Sequence, residues 1–530
     1  MNKLDLIVHI HLILDVYPIK RRNYIQVTRK FSKEMNIQIK PYETVVSQNY
    51  GTVILKITPE IFNDVTYLNN QTNLNFNNCK FQKLIIINET EIEFEEISLS
   101  FSFCQIQDIQ IESIITEQIS LHFHGCIIEG NINKNKIRSV SINNCITPSL
   151  FLQYQNRIDV SYTEENIFIT KWISLLKISD VISANQLINS KQSIYVNHSK
   201  IINFTFNHNN KKKFGVYRSE YGNKDEYYLR YHLTQKDKDD LNINLHIDFS
   251  EENDIQLKIQ NCIFNSFSMK GNANGKISVE NTKINNLYIR EFSSESEMLL
   301  YDISTYKKKS KFEIHKSNMD NCWFDNIDFN GYKLLSLYRS RFANSTFNSC
   351  NFPQNNLDFE KFKTLENIHY LDKKPQNYYK DQYETFLQLR KSLEGTGNYY
   401  EAQKLSAISK ESLRKVSNLP ESDKFILWLN GFSNNHGLSI KLPLLGLFGF
   451  SILFYILYLY SIDRVFKYTA FDFTLVGQYF TFLDPTHKND FLIKKEEFTF
   501  WTLFFDFANK IIVGFYIFQF ISAFRKYVKK

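Results

Sequence analysis

The chain has 530 residues, of which 43% are hydrophobic and 22% are charged. Its 16 glycines and 9 prolines exclude collagen-like and Pro/Gly-rich low-complexity classes, and its 46 phenylalanines argue against disorder. The net charge of +7 is modest for this length, so charge alone does not indicate a nucleic-acid partner. The composition predicts a folded protein of several structural units.

The amino-terminal segment has no convincing cleavable signal. The apolar run from Leu6 to Leu14 is short, contains two histidines and lacks a small-residue cleavage site. We therefore expect residues 1 to about 440 to stay in the cytoplasm. Residues 1–55 are expected to form a separate segment, a cap or a plug, ahead of the first repeat.

The seven cysteines share one sequence frame. Alternating apolar and polar residues precede most of them, as in LHFHGC before position 126, and alternation predicts strands with one buried face. The frame recurs in steps of 25, 22 and 19 residues from Cys79 to Cys145, and Ser199 and Thr282 take the same position elsewhere. Short strands repeating about every 20 residues predict a parallel β-helix, with an inward ladder of small residues. The cysteines are Cys79, Cys104, Cys126, Cys145, Cys262, Cys322 and Cys350.

The predicted fold is mainly β: an irregular right-handed parallel β-helix over residues 56–360, followed by a helical hairpin and two transmembrane α-helices. From Ser317 to Gly331 and from Ser340 to Gln354 the unit shortens to five residues and resembles the pentapeptide-repeat family. The resemblance implies that a small residue and a central Leu or Phe point inward on a square β-helix; it supports a fold and not an activity. The matching positions are Ser317, Met319, Cys322, Phe324, Ile327, Phe329, Ser345, Phe347, Cys350 and Phe352.

Metal, disulfide and catalytic chemistry are not predicted. The cysteines lack the close pairs that zinc sites need, and disulfides are not expected in a cytoplasmic domain. In LHFHGC the leucine and the phenylalanine take the inward positions, so His122 and His124 are expected at the surface. The sequence has no glycine-rich phosphate loop, no nucleophile elbow and no carboxylate pair of defined spacing. We expect no enzyme, no cofactor and no metal.

An insertion is predicted near residues 207–250. The interval of 63 residues between Ser199 and Cys262 is longer than one coil needs. It mixes cations with tyrosines, the combination in which cations meet phosphates while rings stack on bases, so the predicted ligand is a short single-stranded DNA or a nucleotide. Because the segment also contains acidic residues, a solvated loop or an oligomer contact is the alternative. The ligand-binding candidates are Lys211, Lys212, Lys213, Arg218, Tyr227, Tyr228 and Arg230.

Helical spacing over residues 376–418, interrupted at Gly395 and Gly397, predicts a helical hairpin. Its string YETFLQLRKSLEGTGNYYEAQKL resembles a linker in bacterial membrane proteins that join pentapeptide repeats to a two-span, ion-channel-like module. An interfacial helix is predicted next, over residues 420–436. Hairpin packing alone would also explain the matching linker residues. The coupling candidates are Phe386, Arg390 and Glu401 from the hairpin and Trp428 from the interfacial helix.

Two apolar runs predict a two-span transmembrane domain over residues 438–530. The run from Leu442 to Ile462 has no charge, and the run from Phe498 to Phe524 has two, four positions apart on one helical face. With the amino terminus inside, two spans return the carboxyl terminus to the cytoplasm, and the expected location is a bacterial inner (plasma) membrane. An ion pair near the outer interface is the alternative to a pore for the two charges. The pore-lining candidates are Asp506, Lys510, Gln519 and Ser522.

The predicted function is an oligomeric membrane channel or pore-forming effector, gated by a ligand or partner at the cytoplasmic β-helix. Two helices per chain cannot enclose a pore, so a homo-oligomer is expected, and the channel-like resemblance implies a tetramer. The architecture is similar to that of bacterial anti-phage effectors, including the membrane component of Hailong defence, whose ligand is a DNA oligomer. The alternative is a membrane-tethered β-helix that binds a partner without conducting.

Overall fold

In the computed structural model the chain divides into two units, Met1–Lys363 and Thr364–Lys530. The structure describes residues 6–8, 27–29, 34–38, 44–46, 49–57, 71–77, 79–88, 96–113, 119–132, 137–162, 167–168, 191–206, 213–218, 227–232, 242–249, 256–352, 362–363, 378–464 and 473–524.

The first unit is a β-solenoid, as the repeat predicts. Its strands pair in parallel with the strands of the coils before and after, so each coil buries its apolar positions by stacking on its neighbours. Leu121 and Phe123 are buried while His122 and His124 are partly exposed, which confirms the predicted alternation. One ladder of parallel strands comprises Thr44–Val46, Gln71–Asn77, Glu96–Ser102, Ile119–His124, Ser139–Asn143, Arg157–Tyr162, Ile201–Phe206, Gln256–Gln260, the first half of Ile277–Ser294, Met298–Ser304, Cys322–Asp325 and Thr346–Asn348.

A second ladder runs along another face of the same coils. It begins before the predicted boundary at residue 56, because Glu34–Gln38 pairs with Asn49–Ile57, and that strand pairs in turn with Lys80–Asn88. Of the predicted cap or plug, only the antiparallel pair Leu6–Val8 and Val27–Arg29 lies among the described residues ahead of this ladder. The other strands here are Gln105–Ile106, Ile109–Ser113, Ile127–Ile128, Gly130–Ile132, Leu150–Gln153, Gln192–Asn197, Ile243–Phe249, Ile263–Ala273, the second half of Ile277–Ser294, Lys311–His315, Leu334–Tyr338 and Phe362–Lys363.

A small buried side chain marks one corner of successive coils and bonds to the coils beside it. The Cys126 sulfur accepts the Cys104 N–H at 3.3 Å, and the Cys145 sulfur accepts the Cys126 N–H at 3.3 Å. At a second corner, which follows the strands of the other ladder, the Ser340 hydroxyl accepts the Ser317 N–H at 3.2 Å. At both corners these positions hold a small side chain with an acceptor atom. The residue before one or the other corner is left-handed, with φ between 48° and 60°, at Phe103, Gly125, Asn144, His198, Asn261, Asn281, Lys316, Arg339 and Ser349.

The ladder thiols are structural. All seven cysteines are free, six of them are buried, and Cys350 is half-buried. Burial raises the pKa of Cys104, Cys126 and Cys322 well above the ordinary value and that of Cys350 to about 12. Because the thiolate is the nucleophile and the metal ligand, these neutral thiols are poor candidates for either role. Of the ten pentapeptide-like positions, all except Cys350 are buried, which supports the predicted inward register.

Two insertions leave the solenoid, where the sequence predicts one. The predicted insertion ends earlier than residue 250, because Ile243–Phe249 is a solenoid strand. The other lies between Arg157–Tyr162 and Gln192–Asn197, which belong to neighbouring ladders. Strands from both insertions form one antiparallel three-stranded sheet: Ile167–Phe168, Lys213–Arg218 and Tyr227–His232.

The second unit is helical. The predicted hairpin is present as α1 (Tyr378–Gly395) and α2 (Tyr399–Arg414). Gly397 supplies the left-handed φ of 82° between them, and the Asn398 side chain caps α2 by accepting the Glu401 N–H at 3.3 Å. The helices that follow are α3 (Glu421–Asn434), α4 (Lys441–Ser461), α5 (Phe473–Leu483) and α6 (Phe500–Phe524).

Candidate functional site

Helices α4 and α6 are long and apolar enough to cross a membrane. At 1.5 Å per residue they extend about 32 and about 37 Å, which covers the hydrocarbon core of a bilayer. Their large apolar side chains are mostly exposed; Leu445 is 71% exposed, Phe507 64% and Phe518 61%. A core helix of a soluble domain would bury such side chains, so this surface requires lipid or another protein to cover it.

One side of α6 is buried and packs mainly on α4. Gly446 of α4 lies under Tyr516 of α6, so close that a Cβ atom at this glycine would be 2.2 Å from the tyrosine Cε1. Small residues allow helices to approach in this way in membranes. We call the buried residues of α6 its buried stripe; they are Thr502, Asp506, Asn509, Val513, Tyr516, Gln519 and Ala523, and four of them are polar.

Asp506 is the centre of a buried polar cluster. Its carboxylate accepts from His487 Nε2 at 2.6 Å and from Lys510 Nζ at 2.9 Å. The side chains of Asp506 and His487 are only 3% and 2% exposed. Lys510 is partly exposed and also donates to Asn489 Oδ1 at 2.5 Å. The predicted pairing of Asp506 with Lys510 is therefore present, and His487 is a third member that the helical spacing did not reveal.

Gln519 makes a separate contact, about three turns along α6. It is 4% exposed, and its side-chain oxygen accepts from the amide of Asn434, the last residue of α3. Ser522, one turn further, is partly exposed. In this arrangement Asp506 and Gln519 bond within the chain, so pore lining by the four candidates stays a prediction.

The corner between α3 and α4, which we call the junction, comprises residues 434–437. Asn435, His436 and Gly437 have φ values of 51°, 55° and 93°, three left-handed residues in succession. This conformation costs a non-glycine residue about 1 to 2 kcal/mol. Asn434, which is 1% exposed, offsets part of this free-energy cost because its side chain accepts the Gly437 N–H at 2.8 Å.

The junction also contacts the hairpin. The His436 ring lies with Nε2 3.8 Å from a carboxylate oxygen of Glu411 in α2, which also pairs with Arg414 at 2.7 Å. Although burial alone would raise the pKa of Glu411, its contacts with His436 and Arg414 lower this pKa well below the usual value. Asn434 and His436 thus connect α6 and α2 within one short corner. Sequence reasoning missed both residues; the string Asn-Asn-His-Gly after a helix was the available signal.

The three hairpin residues predicted for coupling make their contacts inside the hairpin. Phe386 is fully buried in its core. Arg390 bonds to Glu394 at 2.7 Å, and Glu401 pairs with Lys404 at 3.0 Å. These contacts are those of hairpin packing, and a coupling role for the three residues stays a prediction.

Trp428 lies on an exposed aromatic face of α3. It is 47% exposed and stacks with Phe425 and Phe432, at centroid distances of 5.8 and 5.6 Å. The two phenylalanines are 59% and 57% exposed. An exposed aromatic face suits a membrane interface, as predicted for this helix.

Five of the seven ligand-binding candidates lie on two paired strands of the insertion sheet. Lys211 and Lys212 lie outside the described residues. In the antiparallel register position 213 pairs with 232, position 215 with 230 and position 217 with 228. Lys213 and Arg218 therefore belong to one strand, and Tyr227, Tyr228 and Arg230 belong to the strand beside it.

Among the residues that the structure describes, no group of three or more His, Cys, Asp or Glu side chains is placed to hold a metal ion.

No protein-family model, curated protein or solved structure matches the chain. The pentapeptide-like character therefore rests on the inward positions of the coils themselves, and the functional interpretation rests on the buried stripe and the junction.

Proposed function

We propose that the chain is the subunit of an oligomeric membrane channel or pore-forming effector, gated by a ligand or partner at its cytoplasmic β-solenoid. The observation that carries the proposal is the polar content of the buried stripe of α6. A membrane anchor needs only apolar length, whereas Asp506, Asn509 and Gln519 are costly inside a bilayer and are retained there only for a reason. Conduction supplies such a reason.

The proposed location is a bacterial inner (plasma) membrane, with both termini in the cytoplasm. The exposed apolar surfaces of α4 and α6 would face lipid, and the aromatic face of α3 would lie at the headgroups. The basic carboxyl-terminal end, with Arg525, Lys526, Lys529 and Lys530, favours the cytoplasmic side.

Gating follows from the contacts that the polar residues now make. Two spans cannot enclose a pore, so several protomers are required, and the likeness to two-span channel modules favours four. Asp506 and Gln519 bond to His487 and Asn434 of their own chain. We interpret this arrangement as closed, because opening would release polar side chains from these partners toward a shared path. Movement of the hairpin would reach α6 through Asn434 and His436 of the junction.

The proposed ligand is a short single-stranded DNA or a nucleotide that binds the insertion sheet. Its support is the presence of Lys213, Tyr217, Tyr228 and Arg230 on two paired strands, because cations and rings together suit phosphates and bases. We propose a role in bacterial antiviral defence, on the ground of the sequence resemblance to anti-phage effectors such as the membrane component of Hailong defence.

Planar-bilayer recording tests the channel. Purified wild-type protein should conduct under at least one ligand condition, including ligand removal, and Asp506→Ala should change conductance or gating. Asp490→Ala is the matched control, since Asp490 is an exposed carboxylate between the spans. Absence of conductance under all conditions, with Asp506→Ala silent in cells, would reject the channel.

Salt-dependent binding tests the ligand. The affinity for short single-stranded DNA should fall with salt, and Lys212→Gln/Lys213→Gln should lower the slope by up to about 1.4, at about 0.7 per phosphate contact. Lys308→Gln/Lys309→Gln is the matched control, because these lysines are exposed in a second cluster. Equal slopes in both variants and in wild type would exclude the insertion as the binding site.

The second candidate is a membrane-tethered β-solenoid that binds a partner without conducting. The internal pairing of Asp506 with both Lys510 and His487 favours it, because a satisfied buried ion pair is also what packing alone would require. Normal partner binding by a protein that never conducts would establish this candidate over the channel.

A further inference from the structure

The imidazole of His487 lies between two hydrogen-bond acceptors. Its Nδ1 is 2.5 Å from the carbonyl oxygen of Asp484, and its Nε2 is 2.6 Å from Oδ1 of Asp506. A carbonyl oxygen and an ionised carboxylate can only accept, so both ring nitrogens must donate. The ring is therefore charged in this arrangement, and Phe482 and Phe491 cover it at centroid distances of 5.7 and 4.9 Å.

The charges around the ring make its proton removable. Asp506 is balanced by Lys510 as well as by His487, so it keeps one cationic partner if the ring becomes neutral. From α4 the ionisable neighbour is the Tyr458 hydroxyl, and α5 contributes the Phe482 ring. Within the segment itself, the Asp484 carboxylate accepts from Thr486, and Lys488 and Asp490 are exposed.

A neutral ring can donate from only one nitrogen, so it must lose either the bond to the Asp484 carbonyl or the bond to Asp506. The first loss opens the turn at residues 484–487, and the second detaches that turn from α6. Either change leaves a buried acceptor facing a ring nitrogen that no longer donates, which destabilises the closed packing.

We propose that His487 is a proton-controlled latch that holds the segment between the two spans against α6, closed when the ring is protonated and released as the pH rises. The sign follows from the geometry, because the closed contacts require the protonated form and are lost with its proton. This inference rests on the proposed membrane topology for its location: the segment would face the side opposite the cytoplasm, so the latch would respond to external pH.

Distance measurement by electron spin resonance tests the latch without requiring conductance. Nitroxide labels are placed at Lys488→Cys and Leu445→Cys, two exposed positions, in a Cys350→Ser background, because the other native thiols are buried. In lipid nanodiscs the closed-to-open ratio should fall by up to about tenfold per pH unit above the midpoint, the slope for one proton. His487→Gln should give the high-pH distances at every pH. His315→Gln, at a buried histidine of the solenoid, should keep the wild-type response.

Three outcomes overturn the latch: distances that do not change between about pH 5.5 and about pH 9, a His487→Gln protein that still responds, or a response lost equally in His315→Gln. Conductance is recorded on the same samples. A pH-dependent distance in a protein that never conducts rejects the proposed channel and supports the latch. Conductance without any pH-dependent distance supports the channel and rejects the latch.

Discussion

Replacing Gly446 by alanine tests whether the packing of α4 on α6 is as close as the structure has it. The new Cβ would lie 2.2 Å from Cε1 and 2.4 Å from Cζ of Tyr516, whose ring is 4% exposed and stacks on Phe450 at 5.7 Å. The ring cannot turn away freely, so the helices must separate. Overpacking of this kind costs about 1 to 3 kcal/mol.

The matched control is Gly449→Ala in the same helix, where a Cβ meets nothing within 4 Å. Alanine gains up to about 1 kcal/mol over glycine in a helix, and this term is common to both variants. Their difference in free energy of unfolding therefore isolates the overpacking, and we expect Gly446→Ala to be less stable than Gly449→Ala by about 1 to 3 kcal/mol.

Denaturant titration of the proteins in detergent or lipid nanodiscs measures this difference in the free energy of unfolding. In a Tyr516→Leu background the obstructing ring is absent, so the two glycine variants should differ by less than about 0.5 kcal/mol. Equal stability of Gly446→Ala and Gly449→Ala in the wild-type background would refute the close packing of the two spans.

Three further predictions concern the solenoid, the hairpin and the junction. Cys126→Ala should lower the free energy of unfolding of the solenoid by about 1 to 3 kcal/mol, because the buried Cys104 N–H loses its acceptor, whereas Cys126→Ser should cost much less; denaturant titration of both variants compares them. Glu411→Gln should lower the melting temperature at pH 7, and the gap to wild type should narrow progressively as the pH falls below about 4, because the stability from the lowered pKa of this carboxyl is fully present above its unfolded pKa and is lost as the pH falls through its folded pKa; a gap independent of pH would contradict the assignment. Asn434→Ala and Gln519→Ala should each loosen the junction, seen as faster hydrogen exchange at residues 430–440, and the double variant should be little worse than either single one; additive effects would show that the two side chains act independently.

Local patterns in the chain were sufficient for the solenoid core and for the two long apolar helices. Alternation has a period of two, so LHFHGC assigns Leu121 and Phe123 to the core whatever the neighbouring coils contain. The corner residues were readable in part, because the small side chains that the sequence frame aligns lie at two corners of the coil. The length and apolar character of α4 and α6 are likewise properties of continuous segments.

The first insertion was missed because the sequence frame treats two different corners of the coil as one. Gln155 and Ser199 follow strands of the second ladder, and the Gln155 N–H is accepted by the Ser199 hydroxyl at 3.3 Å. The insertion instead follows Arg157–Tyr162 of the first ladder, so the serine of the frame gave no indication that the chain leaves the solenoid there. The pairing of Ile167–Phe168 with Tyr227–His232 needed the three-dimensional fold as well.

The contacts that matter most for the proposed function were decided only by tertiary structure. His487 and Asp506 are 19 positions apart, and Asn434 and Gln519 are 85 apart. A sequence pattern reports which face of its own helix or strand a residue occupies, but not which distant side chain meets it there. Helical spacing therefore identified Asp506 and Lys510 as a pair on one face of α6, while the histidine that completes their cluster became visible only when the segment between the spans packed against that face.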